Sequence, residues 1–280
     1  MGTPYEPWAT PGPALPRSGS DAAYREDVPI PLDDLGAPVP VPERVCRVVS
    51  LVPSLTEALA ASCPHLLVGA TDWCTPPAGL DVARVRGTKN PDLDAIAALA
   101  PDLVVANMEE NRELDVRRLR ERGVPVWVTR IETVPEAFAS MRRLFTEVIG
   151  LHQDPPWLAD AEARWPVTLP APHTRVVVPV WRDPWMVVGT PAFTADLLAR
   201  AGYAVCPASP GRYPHADLAE MDDPGLADLA LLPDEPYVFS QDDGPEAFSR
   251  IPTRLISGRL ITWYGPALLE AADELLGNAG

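Results

Sequence analysis

Lys89, within 86-RGTKNPDL-93, is the only lysine in a 280-residue chain that carries 22 arginines. An ammonium is a compact charge that gives up its proton when desolvated, which a guanidinium does not do. In a dry cleft Lys89 could act as a general base or form a Schiff base. Cys74, directly after Trp73, could be a nucleophile if its pKa falls. Asp72, Glu109, Glu110, Asp183 and Glu235 could accept hydrogen bonds from a polar ligand, bind a metal or exchange protons. Four of the eight tryptophans, Trp73, Trp181, Trp185 and Trp263, stand beside these charged residues. Aromatic walls with a few placed polar groups are the make-up of a small-molecule pocket.

The elements that must position these residues follow from periodicity. 45-VCRVVSLV-52 is a near-continuous apolar run, as expected of a parallel strand buried on both faces. Pro53 ends it, and 54-SLTEALAAS-62 opens a helix with a capping box of Ser54 and Glu57. Strand, loop and helix then alternate through 66-LLVGAT-71, the turn 72-DWCTPPAG-79, a loop around Lys89, the helix 92-DLDAIAALA-100, the strand 102-DLVVAN-107, the helix 109-EENRELDVRRLRERG-123 and the strand 124-VPVWVTR-130. A helix over roughly 135–149 and a second, 157-WLADAEARW-165, come next, separated by 154-DPP-156. The alternation resumes with 175-RVVVPVW-181, 185-WMVVG-189, the helix 191-PAFTADLLARAG-202, a helical stretch at 217-DLAEM-221, 227-ADLALLP-233, 254-RLISG-258 and the terminal helix 266-PALLEAADELLG-277.

This pattern predicts an α/β protein: two α/β lobes with parallel sheets, bridged by a backbone helix, with a ligand cleft between the lobes. The expected division is a Pro-rich leader over 1–43, extended or disordered, an N-terminal lobe over 44–150, a bridging helix and linker over 151–172, and a C-terminal lobe over 173–280. Ligands of open α/β sheets bind at the carboxyl ends of the strands. The residues found there form the expected ligand-binding set: Ser54, Asp72, Trp73, Cys74, Lys89, Asn90, Glu109, Glu110, Arg130, Trp181, Arg182, Trp185, Arg212, Tyr213, Glu235, Tyr237, Trp263 and Tyr264. Asn107 and Asn111 also follow a strand.

Composition narrows the function. A net charge of −16 argues against nucleic acid and anionic membrane surfaces, which need basic patches. Cys46, Cys63, Cys74 and Cys206 show no CxxC or finger spacing and read as reduced thiols. No GxSxG, HExxH, GxxxxGK[ST] or strand-to-helix GxGxxG occurs. The first 21 residues lack a basic region followed by an apolar run, and no apolar run reaches about 18 residues. The expectation is a monomeric cytoplasmic protein without membrane insertion.

The runs 45-VCRVVSLVPSLTEALAAS-62, 68-VGATDWCTPP-77 and 86-RGTKNPDLDAIAALAPDLVVAN-107 resemble the substrate-binding proteins of cobalamin and ferric-siderophore ABC importers. The resemblance implies two lobes joined by a helical backbone and a ligand clamped by aromatic residues. It places Trp73, Lys89 or its neighbours, Trp181 to Trp185, Tyr213, Trp263 and Tyr264 at the ligand, and Asp94 and Glu220 where acidic residues would dock on a permease. It also implies a corrinoid, haem or ferric chelate as bound group. A small-molecule receptor is therefore expected, with an importer component, or an enzyme built on Lys89, Cys74 and the carboxylates, as alternatives. No catalytic residue is assigned, and whether a metal binds is left open.

Overall fold

The computed structural model describes Trp8, residues 30–74 and residues 80–277. The chain divides into two compact units, one of Met1–Arg130 with Ala139–Pro156, the other of Ile131–Phe138 with Trp157–Gly280. The break between Phe138 and Ala139 falls inside a helix, and residues 157–172 lie in the second unit.

The first unit is built on five parallel strands in the order β3-β2-β1-β6-β7: β1 (Val48–Ser50), β2 (Leu67–Ala70), β3 (Ala83–Arg84), β6 (Leu103–Asn107) and β7 (Val126–Thr129). β1, β6 and β7 are buried at every residue, as their unbroken apolar runs predict. Val49, Leu51, Val104, Ala106, Val126 and Val128 pack with Ile96, Val116 and Leu119 into one core. Ile96 lies on α2 (Leu93–Ala98), and the other two on α3 (Glu113–Glu121). The short hairpin β4 (Arg86–Gly87) and β5 (Asn90–Pro91) stands where a loop was expected.

Two local expectations are revised. α1 (Pro53–Ser62) starts at Pro53, whose missing N–H costs nothing at the first helical position, and its N-cap is Val52. Ser54 is buried inside the first turn, no side chain caps this end, and the expected box with Glu57 does not form. The polar run 109–112 likewise stays out of α3, which begins only at Glu113.

Of the leader expected to be extended or disordered, residues 30–43 carry no helix and are docked onto this unit; residues 1–7 and 9–29 lie outside the described residues. Asp33 and Asp34 explain the docking. Asp33 accepts the N–H groups of Leu35 (3.0 Å) and Ala37 (2.8 Å) and pairs with Arg120 at 2.6 Å. Asp34 donates its N–H to Val128 of edge strand β7 (3.2 Å), pairs with Arg143 at 2.7 Å and accepts from the Ser140 hydroxyl at 2.5 Å. Ala37 and Val39 are buried beneath them. Ladder groups of an edge strand need such a cover.

The helix expected over 135–149 forms as α4 (Val134–Arg142) and a seven-residue π-helical run, Arg143–Ile149. Gly150 closes it in the left-handed conformation (φ 86°). After residues 151–155 comes α5 (Pro156–Arg164).

The second unit has four parallel strands in the order β11-β8-β12-β13: β8 (Thr174–Val177), β11 (Tyr203–Val205), β12 (Leu229–Pro233) and β13 (Thr253–Ile256). The run 175–181, read as one strand, breaks at Pro179; β9 (Pro179–Trp181) turns away and pairs antiparallel with β10 (Met186–Val187). Proline has no N–H for a central ladder, so the chain leaves the sheet there. α6 (Phe193–Arg200), α7 (Leu218–Met221), α8 (Gly258–Thr262) and α9 (Ala267–Leu276) complete the unit. Val177, Val187, Met221, Ala230, Leu232 and Phe239 form its core. No helix among the described residues is long and apolar enough to cross a membrane.

Candidate functional site

In the first unit the turn after β2 holds Asp72 and Trp73 outward and Cys74 inward. Cys74 is 1% exposed, with Sγ 2.9 Å from Thr56 Oγ1 and 3.0 Å from Thr71 Oγ1. Burial pushes its pKa up, against the smaller opposite effect of those hydroxyls. This thiol anchors the turn; it offers neither a surface to a ligand nor an activated thiolate, which corrects both roles expected of it. Arg84 locks the same turn, donating to the carbonyls of Thr71 and Cys74 at 2.7 Å each.

The anchored turn leaves Trp73 70% exposed. Its indole stands against the hairpin, where Gly87 permits the approach: a β-carbon there would lie 3.3 Å from Trp73 Nε1 and 2.5 Å from Asn90 Oδ1. Asp72, Trp73, Arg86, Gly87 and Asn90 line a concavity of about 410 Å³, a volume suited to part or all of a small molecule. Arg86 has φ 66°, rare for a side-chain-bearing residue, and its carbonyl accepts the Asp72 N–H at 2.9 Å. The strained residue therefore sits at the joint between hairpin and tryptophan turn. Gly87→Ala is expected to displace the Asn90 carboxamide and tilt Trp73 while changing stability by less than about 1 kcal/mol, since the atoms it strikes end movable side chains. Tryptophan emission and urea unfolding measure the two effects separately.

A buried asparagine pair builds the neighbouring wall. Asn107, at the end of β6, donates from Nδ2 to the Thr129 carbonyl (3.2 Å) and Oγ1 (3.1 Å), and its Oδ1 accepts the N–H of Glu109 (2.8 Å) and Glu110 (3.3 Å). Asn111 accepts the Asn107 N–H at 2.9 Å and donates to the carbonyls of Leu51 (3.2 Å) and Thr88 (3.0 Å). These amides tie the ends of β1, β6 and β7 to the hairpin tip and fix where Glu109 and Glu110 stand.

Lys89, at that tip, donates Nζ to the backbone carbonyl of Glu109. Partial loss of water lowers the Lys89 pKa, Arg112 adds to this and Glu110 opposes it. The start of α2 belongs to Asp92, whose Oδ1 accepts the Ala95 N–H at 3.0 Å, and Arg86 Nε lies 3.5 Å from Asp92 Oδ2. Ser54 is 3% exposed and so is removed from the surface set. Arg130 is exposed in the segment after β7. Asp94 pairs with Arg122 at 2.8 Å with its carboxylate in solvent, and Glu220 is exposed on α7.

In the second unit the expected aromatics separate into two groups. Trp181 (44% exposed) meets Tyr237 edge-on, with ring centres 5.7 Å apart. Tyr237 leans on Phe239 at 4.7 Å, and Phe239 stacks on Trp185 at 5.9 Å and 6°. Arg182 lies over Trp185 at 5.4 Å, a cation–π geometry. Its guanidinium is paired with Asp243 and, at 2.5 Å, with Glu246, and the Tyr237 hydroxyl donates to Asp243 at 2.6 Å. The hydrogen bond to Glu246 leads the effects that raise the Arg182 pKa.

The other group gathers around Glu235. Glu235 accepts from the Trp263 indole N–H (2.7 Å) and the Thr262 hydroxyl (3.0 Å), and burial raises its pKa. Tyr264 is 5% exposed and packs edge-on against Phe193. Glu235 thus ties the end of β12 to Thr262 of α8 and to Trp263, both Glu235 and Trp263 staying half-buried, while Tyr264 is turned into the interior. Arg212 pairs with Glu132, while Tyr213 is 38% exposed. Among the described residues no group of three or more His, Cys, Asp or Glu side chains could hold a metal ion.

Compared with known proteins, the chain adopts a known architecture. The periplasmic vitamin B12-binding protein BtuF of Vibrio cholerae superposes with a TM-score of 0.63 at 17% identity, over 83% of this chain and 96% of that one. The fold is that of a periplasmic substrate-binding protein. A periplasmic heme-binding protein from Pseudomonas aeruginosa gives a TM-score of 0.64 at 17% identity, over 84% and 94% of the two chains. In sequence, the vitamin B12-binding protein of Pectobacterium carotovorum subsp. carotovorum (strain PC1) is 32% identical over 102 residues, 36% of this chain and 37% of that relative. The chain thus aligns with little more than a third of the length of the curated relatives it matches. No family model matches. The resemblance seen in the motifs is upheld by these relatives.

Arg86 and Gly87 beside Trp73, and Asp243 and Glu246 on Arg182, were absent from the expected set. Arg86 and Gly87 adjoin Lys89 in a stretch without a turn dipeptide to announce a hairpin. The acids of 241-QDDGPE-246 are conspicuous, yet the 61 residues separating Arg182 from Asp243 hide their pairing.

Proposed function

We propose that the protein is a receptor for a metal tetrapyrrole or a comparable metal chelate, with a corrinoid as its foremost ligand. The observation that carries this reading is the outward Trp73 indole beside an open concavity, on a chain whose fold is shared with the vitamin B12-binding protein. A flat macrocycle gains most from a rigid aromatic face and a few fixed polar groups. Exposed Trp181 with Tyr237 supplies a second such face in the other unit. An ABC permease is the partner that a receptor of this kind would meet, with exposed Asp94 and Glu220 as its proposed contacts.

Titration of the full chain with cyanocobalamin, haemin and a ferric trihydroxamate, followed by tryptophan emission, tests the proposal. Saturable quenching by at least one is expected, and Trp73→Ala should weaken that binding about tenfold, a loss of roughly 1.4 kcal/mol. Unchanged affinity in Trp73→Ala would remove Trp73 from the site.

A further inference from the structure

The outward side of edge strand β7 is taken up by polar groups from elsewhere in its own unit. The Val104 and Met108 N–H groups bond to the Pro125 and Thr129 carbonyls, so residues 125, 127 and 129 face β6. Alternation along the strand then turns the backbone groups of Val126, Val128 and Arg130 away from the sheet. Arg120 donates to the Val126 carbonyl at 2.9 Å, the Asp34 N–H donates to the Val128 carbonyl at 3.2 Å, and the Asp34 carboxylate accepts the Arg130 N–H at 3.1 Å. Asp34 thus stands where a neighbouring strand would, and Asp33 holds Arg120 on the remaining position at 2.6 Å. The two carboxylate side chains are 0% and 9% exposed, and Arg143 clasps both Asp34 and the Leu32 carbonyl. Apolar contact contributes less here. Ile30 and Leu32 are exposed, and the fully buried apolar side chains, Ala37 and Val39, come only after the turn at Gly36 (φ 79°).

We propose that residues 30–36 are a built-in edge cap, held by Asp33 and Asp34, that keeps β7 from pairing with β7 of a second copy of this chain. The strand under the cap reads Val-Trp-Val-Thr, with no charged residue to repel its twin and with β-branched and aromatic side chains suited to a sheet. Each copy presents the same row of donors and acceptors, so two uncapped edges can meet about a two-fold axis as an antiparallel pair. The cap works whether or not a ligand is bound, and the inference is independent of the receptor reading.

The full chain carrying Asp33→Ala and Asp34→Ala is compared with wild type by analytical ultracentrifugation over roughly 5 to 200 µM. Wild type is expected to stay monomeric, and the double variant to dimerise reversibly with an association constant at least about tenfold higher. Amide exchange in the same samples reads the cap itself. It should accelerate at the N–H of residue 34, bonded to Val128, and at that of Val39, bonded to Pro31, two bonds whose acceptors the substitutions leave in place. Exchange on β1 and β6 should hold at the wild-type rate, which shows the sheet intact. Arg143→Gln frees Asp34 and the Leu32 carbonyl but leaves Asp33 on Arg120, so it should raise association by a smaller factor, and it carries the test if the double variant does not fold. A peptide of residues 30–41 in excess should return the dimer to monomers. A released cap on a chain that stays monomeric overturns the proposal, as do a dimeric wild type and unchanged exchange at residues 34 and 39.

Discussion

Replacing Asp222 with alanine is expected to destabilise the protein by about 3–5 kcal/mol. The carboxylate is 6% exposed and accepts four hydrogen bonds: from the N–H groups of Ser249 (2.9 Å), Arg250 (2.8 Å) and Ile251 (3.0 Å), and from the Ser249 hydroxyl (3.0 Å). It thereby pins the segment leading into β13, beside the core residues Met221 and Ile251. Burial alone would raise its pKa, but the four donors prevail and hold it at about 2, below the ordinary 3.8. Because the folded-state pKa is the lower one, the stabilisation is complete above pH 3.8 and is lost as pH falls toward 2. Its size is roughly 2 kcal/mol, at about 1.4 kcal/mol for each pH unit of the gap. Urea unfolding of wild type and Asp222→Asn between about pH 3 and pH 7 should show the difference between them shrinking as the solution is acidified. A difference independent of pH would refute the assignment.

Asn111→Ala is expected to cost about 2–4 kcal/mol, because it strands the Asn107 N–H and the carbonyls of Leu51 and Thr88 in a buried setting. Its consequence is local as well as global. Without this amide the hairpin tip loses a buried side-chain tie to the 107–111 segment and keeps the one from the Lys89 ammonium, so Lys89, Glu109 and Glu110 should lose their fixed positions. Amide hydrogen exchange should accelerate over residues 86–91 and 107–111 beyond the change in global stability. Exchange faster only in proportion to global stability would show that Asn111 merely adds stability and positions nothing.

Periodicity made the repeating architecture legible: the apolar runs of β1, β6 and β7 became buried parallel strands, and the alternation of strands and helices became two α/β units. Side-chain direction was not legible. Cys74 and Trp73 are adjacent and equally suited to a ligand by type, yet a turn locked by Arg84 sends one into the core and the other into solvent. Trp263 and Tyr264 follow a strand and its short helix as ligand residues should, but an acid 28 residues upstream claims the Trp263 indole. Composition left residues 30–43 as extended or disordered without showing that Asp33 and Asp34 carry contacts that dock them. Pairings across long sequence separations leave no local pattern to read, and those pairings decide which charges face a ligand and which are neutralised.

The receptor proposal is tested most directly by equilibrium dialysis of the purified full chain against cyanocobalamin and dicyanocobinamide. The account predicts saturable uptake of one equivalent of at least one corrinoid at low micromolar concentration or below, about −7 to −8 kcal/mol, weakened in Trp73→Ala. Uptake that fails to saturate for both corrinoids up to high micromolar concentration, in a chain shown to be folded, would contradict it.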